Sequence, residues 1–415
     1  MFENNYISKL KDNELIRGSF FLIALTFIGN IFSYLFQFFM ARMLGPSDYV
    51  IIAIITSILG IFAIPTMAIQ TVISKNTTEL KIKKQDGKIQ GLMNFALRKM
   101  LMLSFIMFTI YCLLSLFLTR ELGIDYVYLF IGGLFIFSSF TYPVLTGIIQ
   151  GLKKFKDLGI NFFINCFVKF IAGVILVSVG LGVYGAIIGF LLGITAAFFI
   201  LFFDITSIIN AKYEKFEVKL FSRDNAYPLL AMLFIVLMYS LDVIFAKAFF
   251  SSDIAGRYSV ISLIGKTILF VVSSIGTAMF PISTERYAVG ENTMSVFRKA
   301  FLVSLTICIV AITIFSIFPQ IIINILFGEQ YASISPLLVY LGIAFSFCSL
   351  LYLIILNRIS TNNLKFFGII CLTLCLLIEI SAFFLFNSTI EQFTIGFMIA
   401  NIISFFIGLG VLIKK

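Results

Sequence analysis

Residues 158–203 read LGINFFINCFVKFIAGVILVSVGLGVYGAIIGFLLGITAAFFILFF, 46 positions in which Lys169 is the only charge. About 20 apolar residues cross a bilayer's hydrocarbon core as a helix. This stretch is too long for one crossing and long enough for two. Gly180-Leu181-Gly182-Val183-Tyr184-Gly185 divides it near the middle, because glycines clustered so closely favour a turn. Backbone groups in lipid must be satisfied within their own segment, which selects helices, and the period-two pattern of a barrel is absent. The stretch predicts a hairpin of two membrane-spanning helices.

Working outward, runs 18–41, 49–74, 100–119, 126–152, 300–328, 330–357 and 392–413 hold no charged residue. Three further runs carry isolated charges: 225–250 (Asp242, Lys247), 258–280 (Lys266) and 366–387 (Glu379). With the hairpin these predict an all-α integral membrane protein of 12 transmembrane helices. Composition agrees, at 60% hydrophobic and 12% charged residues with a mean hydropathy of +1.09. It excludes a soluble enzyme, a secreted disulfide scaffold and a nucleic-acid-binding domain. The chain has no His and no Trp, so imidazole catalysis and imidazole metal sites are excluded. Cys112, Cys166, Cys308, Cys348, Cys371 and Cys375 all lie in apolar runs and read as small packing residues. No metal, no cofactor and no cleavable signal peptide is expected.

Of the 30 Lys and Arg residues, 24 fall in the N-terminal segment, in alternate loops and at the C-terminus. The opposite loops hold Arg42, Arg120 and Arg257, and Lys169, Lys247 and Lys266 lie within the spans. Positive loops stay inside, so both termini are expected to be cytoplasmic. The net charge of +10 is mostly this signal, with attraction to anionic membrane lipids added. No nucleic-acid partner is expected. Residues 2–17 read either as an interfacial helix or as a cytoplasmic tail.

Two segments repeat at an offset of 205: Ala41-Arg42 through Ser47-Asp48 and Ala246-Lys247 through Ser252-Asp253. Arg98-Lys99 and Arg298-Lys299 each precede an odd-numbered span. An offset of six spans preserves direction across the membrane. It predicts two parallel six-helix lobes, an N-lobe over 1–205 and a C-lobe over 206–415, related by an axis along the membrane normal.

Several motifs resemble one known family in their order and placement. They are Arg42-Met43-Leu44-Gly45-Pro46-Ser47-Asp48-Tyr49, Gly147-Ile148-Ile149-Gln150-Gly151-Leu152-Lys153-Lys154-Phe155, and Leu241-Asp242-Val243-Ile244 with Gly256-Arg257-Tyr258. Phe280-Pro281-Ile282-Ser283 and Leu326-Phe327-Gly328-Glu329-Gln330-Tyr331 complete the set. The sequence resembles the polysaccharide flippases (Wzx-type O-antigen and repeat-unit exporters) of the multidrug/oligosaccharidyl-lipid/polysaccharide exporter superfamily. That resemblance implies lobes around a central cavity, alternating access, a place in the cell inner (cytoplasmic) membrane, and undecaprenyl-diphosphate-linked oligosaccharide as cargo. Other polysaccharide-assembly proteins are the partners it implies.

Charges within the bilayer cost ~2.5–3.5 kcal/mol each and usually face a cavity or a partner. Lys169, Lys247 and Lys266, with Arg42 at the end of the first span, outnumber Asp242 and Glu379. One reading makes them a cationic, substrate-binding cavity that offsets desolvation of a lipid diphosphate. Alternatives stand beside it: Arg42 and Lys247 snorkel to the surface, Lys266 pairs with Asp242, and Glu379 is protonated or, with Asp242, couples transport to an ion. Asn30, Ser33, Tyr34 and Gln37 share one face of the first span, either to bind sugar or to join helices. Pro65 and Pro143 are candidate bends. There is no Gly-x-x-x-x-Gly-Lys-Ser/Thr loop. Rival functions are a drug or small-molecule antiporter of the same superfamily and a polytopic glycan-assembly enzyme.

Overall fold

A computed structural model describes residues 2–209, 214–218, 226–364 and 366–413, with the side chains of 2–19, 63–65, 67–68, 206–209 and 411–413 set aside. Lys212, Lys219, Arg223, Lys365, Lys414 and Lys415 of the charge pattern lie outside these residues. The chain forms α1 (Phe2–Leu44), α2 (Pro46–Ile82), α3 (Asp86–Leu122), α4 (Tyr126–Gly133), α5 (Phe135–Gly151), α6 (Phe155–Leu176) and α7 (Gly182–Ile209). It continues through α8 (Ala226–Phe249), α9 (Ser252–Ala288), α10 (Met294–Ile317), α11 (Pro319–Leu326), a 3-10 segment (Glu329–Leu337), α12 (Leu338–Ser360), α13 (Phe366–Leu385) and α14 (Ile390–Ile413).

Helix ends follow local chemistry. Gly123, at φ 60°, ends α3 with its N–H donated to the Thr119 carbonyl, a left-handed stop that glycine tolerates. The Asp125 carboxylate accepts from the Val127 N–H at 3.0 Å and starts α4. Between α6 and α7 the chain makes one π turn, Val177–Leu181, and reverses where Gly180 and Gly182 take φ 98° and 51°. Helices α2 and α5 continue through Pro65 and Pro143.

The chain divides into two units. The first comprises 1–44 and 62–222, and the second comprises 45–61 and 223–415. Helix α2 therefore contributes its first part, to Ile61, to the second unit and the rest to the first. In the first unit α6 packs between α1 and α7, and α3 packs on α5. Close approach of α6 and α7 depends on small residues: a Cβ on Gly189 would stand 2.5 Å from the Cα of Gly173. In the second unit α12 packs against α9, α10 and α14, and α13 against α14 and α8. Its core joins Met238 of α8, Leu269 of α9, Leu351 and Ile355 of α12, and Leu372 and Cys375 of α13.

The outward faces are apolar as well. Met102, Phe105 and Leu113 on α3 and Leu302 and Ile309 on α10 are more than half exposed. A bundle apolar both inside and outside fits lipid as its solvent. Among the described residues, ten helical stretches are long and apolar enough to cross a membrane. One of them, Phe155–Ile205, is the 51-residue stretch that contains the glycine break. Pro46–Phe62, within α2, is a shorter apolar helix.

Candidate functional site

Two of the predicted charges meet inside the second unit. Tyr258, Ser262 and Lys266 are spaced four apart on α9 and therefore share one face. All three reach Asp242 of α8. The Lys266 ammonium donates to Asp242 Oδ1 at 3.0 Å, the Ser262 hydroxyl to Oδ2, and the Tyr258 hydroxyl to Oδ2 at 3.5 Å. Asp242 is fully buried and Lys266 nearly so. Burying two charges is compensated only when the geometry is good and the remaining acceptors are filled, and here three donors converge on one carboxylate. The Lys266 ammonium also lies 5.7 Å from the Phe345 ring centroid. Gly265 brings that ring close, since a Cβ there would stand 2.5 Å from Phe345 Cδ2. Lys266 is thus occupied by Asp242 rather than open to a phosphate.

Glu379, on α13, is fully buried, and neither carboxylate oxygen has a hydrogen-bond partner among the described residues. It interacts electrostatically with both Asp242 and Lys266. A buried carboxyl without a donor is costly, so Glu379 is the least satisfied acid of the second unit's interior.

The first unit carries the contrasting arrangement. Lys169, on α6, is as buried as Lys266, at 8% exposure each. Its ammonium donates to Ser33 Oγ of α1 at 2.7 Å. It lies 5.4 Å from the centroid of Phe36 and 5.2 Å from that of Phe190 of α7. Among the described residues no carboxylate is within ion-pair distance of it. Two turns earlier on the same face, Asn161 accepts from the Tyr142 hydroxyl at 2.6 Å and donates to the Ala197 carbonyl at 2.7 Å. Asn161 is therefore satisfied structural glue, whereas the Lys169 amine meets one hydroxyl and two ring faces among the described residues.

The remaining predicted residues differ in burial. Of the polar stripe on α1, Ser33 meets Lys169, Asn30 is exposed and Gln37 half-buried. Arg42, in the last turn of α1, is exposed. Lys247, in the last turn of α8, is half-buried with no hydrogen bond or ion pair among the described residues. Sequence reasoning missed Tyr258 and Ser262 as partners of Asp242, although their spacing to Lys266 was a readable signal.

Apolar helices with titratable groups buried inside both units define a multi-pass membrane protein. The profile of the family described as polysaccharide biosynthesis protein matches residues 15–287, and the chain belongs to that family. The fold is similar to solved transporters. An inward-facing multidrug resistance MATE family transporter of the MOP superfamily superposes with a TM-score of 0.73 at 13% identity, over 92% of this chain and 94% of that one. The Vibrio cholerae MATE transporter VcmN, solved as a point mutant, gives 0.67 at 15% identity over 97% of each chain. The eukaryotic MATE transporter AtDTX14 gives 0.63 at 13% identity, over 98% and 96%. No curated protein matches the sequence.

Proposed function

We propose that the chain is a flippase that moves undecaprenyl-diphosphate-linked oligosaccharide repeat units from the cytoplasmic to the outer leaflet of the cytoplasmic membrane by alternating access. In this reading the chain has 12 transmembrane helices, with Phe155–Ile205 counted as two and α2 as one. They form two six-helix lobes around a central cavity, with both termini in the cytoplasm. The observation that carries the reading is Lys169. A buried ammonium with no carboxylate partner among the described residues is held at a cost, and its chemical complement is an anion. A lipid diphosphate that leaves water keeps its charge only where such cations receive it. Arg42 and Lys247 extend the same polarity toward the far end of their helices.

Asp242 and Glu379 take the coupling role. A drug-cation antiporter would need an acid open to its substrate, whereas Asp242 is taken by Lys266. Glu379, buried and without a donor among the described residues, is the group whose charge an incoming proton or alkali cation would settle. Two negative charges moving outward through an inside-negative potential of 100 mV gain about 4.6 kcal/mol, so the potential itself is a sufficient energy source. Membrane lipids and other polysaccharide-assembly proteins are the partners, and the chain performs no covalent chemistry.

The test is genetic and biochemical. Deleting the gene is expected to leave lipid-linked repeat units on the cytoplasmic face, and Lys169→Ala is expected to reproduce that accumulation with the protein still inserted. Unimpeded export in the deletion strain would end the flippase reading. Full export by Lys169→Ala would end the role given to that ammonium.

A further inference from the structure

Where α9 and α14 begin, a cleft of about 460 Å³ opens in the second unit. Nothing in the transport reading above uses it. Asp253, Arg257, Ser333 and Glu391 stand over an aliphatic floor that includes Ile334 and Leu337. Its volume lies within the ~300–1,000 Å³ range of small-ligand clefts.

Arg257 is fixed in place. Its Nε and Nη2 hold the two carboxylate oxygens of Asp253 at 2.8 and 3.2 Å. Its Nη1 donates to the Gln330 carbonyl and, at 3.2 Å, to Ser333 Oγ. Glu391, in the first turn of α14, is exposed and has no hydrogen bond or ion pair among the described residues. Its charge sits where a helix start presents unfilled N–H groups. Asp253 is thus offset by Arg257, and Glu391 by the end of its own helix.

The cleft holds two carboxylates and one guanidinium, with the start of α14 offsetting part of the surplus negative charge, and it offers both donors and acceptors. An anion would face two carboxylates, and an organic cation would face a guanidinium. An uncharged polyhydroxyl ligand meets neither obstacle. Its hydroxyls donate to Glu391 and Asp253 and accept from Arg257 and Ser333, while its C–H faces lie on the aliphatic floor.

We propose that this cleft is a saccharide subsite that receives the glycan on the exit side. The inference rests on the flippase reading, in which the starts of α9 and α14 face the extracytoplasmic side, opposite the Lys/Arg-rich loops. Sugar that has crossed rests here while its lipid carrier departs.

Full-length protein in lipid nanodiscs is titrated by saturation-transfer-difference NMR with two sets of probes. One is the lipid-free oligosaccharide released by mild acid from the lipid-linked pool of the gene-deletion strain. The other is a set of neutral trisaccharides, maltotriose and N,N′,N″-triacetylchitotriose. Wild-type protein is expected to transfer saturation to at least one probe. Glu391→Ala, at an exposed position without a hydrogen bond or ion pair among the described residues, is expected to weaken that binding about tenfold, the loss of one charge-assisted hydrogen bond. Ser333→Ala is expected to weaken it less. Absence of transfer from every probe overturns the subsite, as does unchanged affinity in Glu391→Ala. If the deletion strain accumulates lipid-linked glycan and none of it binds, the subsite fails while the flippase reading stands. If no such glycan accumulates, the flippase reading fails and the trisaccharides alone decide the cleft by the same criteria.

Discussion

Lys169 and Lys266 are both lysines at the same degree of burial, each on a helix face that carries further polar residues at four- or eight-residue spacing, and they differ in company. On α9 the stripe Tyr258, Ser262, Lys266 closes on the carboxylate of Asp242. On α6 the stripe Asn161, Lys169 closes on a carbonyl and a hydroxyl, with the rings of Phe36 and Phe190 around the ammonium. Two desolvated cation–π contacts at about 2 kcal/mol each and one hydrogen bond from a charged donor at about 1.5–3 kcal/mol offset much of the several kcal/mol that burying an ion costs, but none of them supplies a counter-charge. The second unit therefore meets its lysine with an acid, and the first, among the described residues, with neutral groups alone. A charge cancelled inside the fold contributes order; a charge left over attracts a ligand.

The sharpest way to break this contrast is to remove the acid. Asp242→Ala strands the Lys266 ammonium and is expected to destabilise the protein by about 3–5 kcal/mol. The chain has no Trp, so the measurement is far-UV circular dichroism melting in detergent rather than indole fluorescence. The double variant Asp242→Leu with Lys266→Met removes both charges and is expected to return to native stability or exceed it by about 1–4 kcal/mol. If the single variant melts with the native protein, the burial of Lys266 does not depend on Asp242.

Much of this was legible in the sequence, and the failures have common physical causes. The hairpin break at Gly180–Gly182 was readable because glycine's positive φ is a local property. The Asp242–Lys266 pairing was readable as one of two options, since charges on consecutive spans are either partners or lining. Hydropathy did not reveal that run 300–328 is cut between α10 and α11, although Pro319 marks the break. Nor did it reveal the 3-10 segment Glu329–Leu337 or the division of run 126–152 at Leu134. Hydropathy averages over turns that stay apolar. The grouping of Gly45–Ile61 with the second unit was invisible because it depends on a tertiary approach. Gly256 there lies so close to the Pro46 carbonyl that a Cβ has no space. Likewise nothing local distinguishes Ser33 from Asn30 or Gln37 on the polar stripe; packing against α6 makes that choice.

Packing offers a second, smaller comparison between the two lysine sites. A Cβ on Gly193 would stand 2.5 Å from the Asn165 carbonyl oxygen and 2.8 Å from Lys169 Cβ. Both are fixed to the α6 backbone, so Gly193→Ala must push α7 away, at an expected cost of up to about 3 kcal/mol. Gly265→Ala meets the edge of the Phe345 ring at a similar distance, and a ring can tilt. Its expected cost is about half as large. Circular dichroism melts of the two variants check the order, and a reversed order would show that the α6–α7 contact yields more readily than the ring.

The least destabilising change is expected to be the most informative one for function. Lys169→Met keeps the length and apolar stem of the side chain and removes a charge that has no counter-ion among the described residues. The hydrogen bond lost leaves Ser33, whose hydroxyl lies on a helix and can turn to a backbone carbonyl one turn back, so no group is stranded. Stability is therefore expected to stay within about 0.5 kcal/mol of native or to rise, the opposite of what Asp242→Ala does in the second unit. Export of lipid-linked glycan, measured as its appearance on the outer leaflet, is expected to fall at least tenfold in the same variant, and Lys169→Arg, which restores the charge, is expected to recover part of it. A stable, fully active Lys169→Met protein would mean that this ammonium is tolerated rather than used, and the two units would then differ in packing alone.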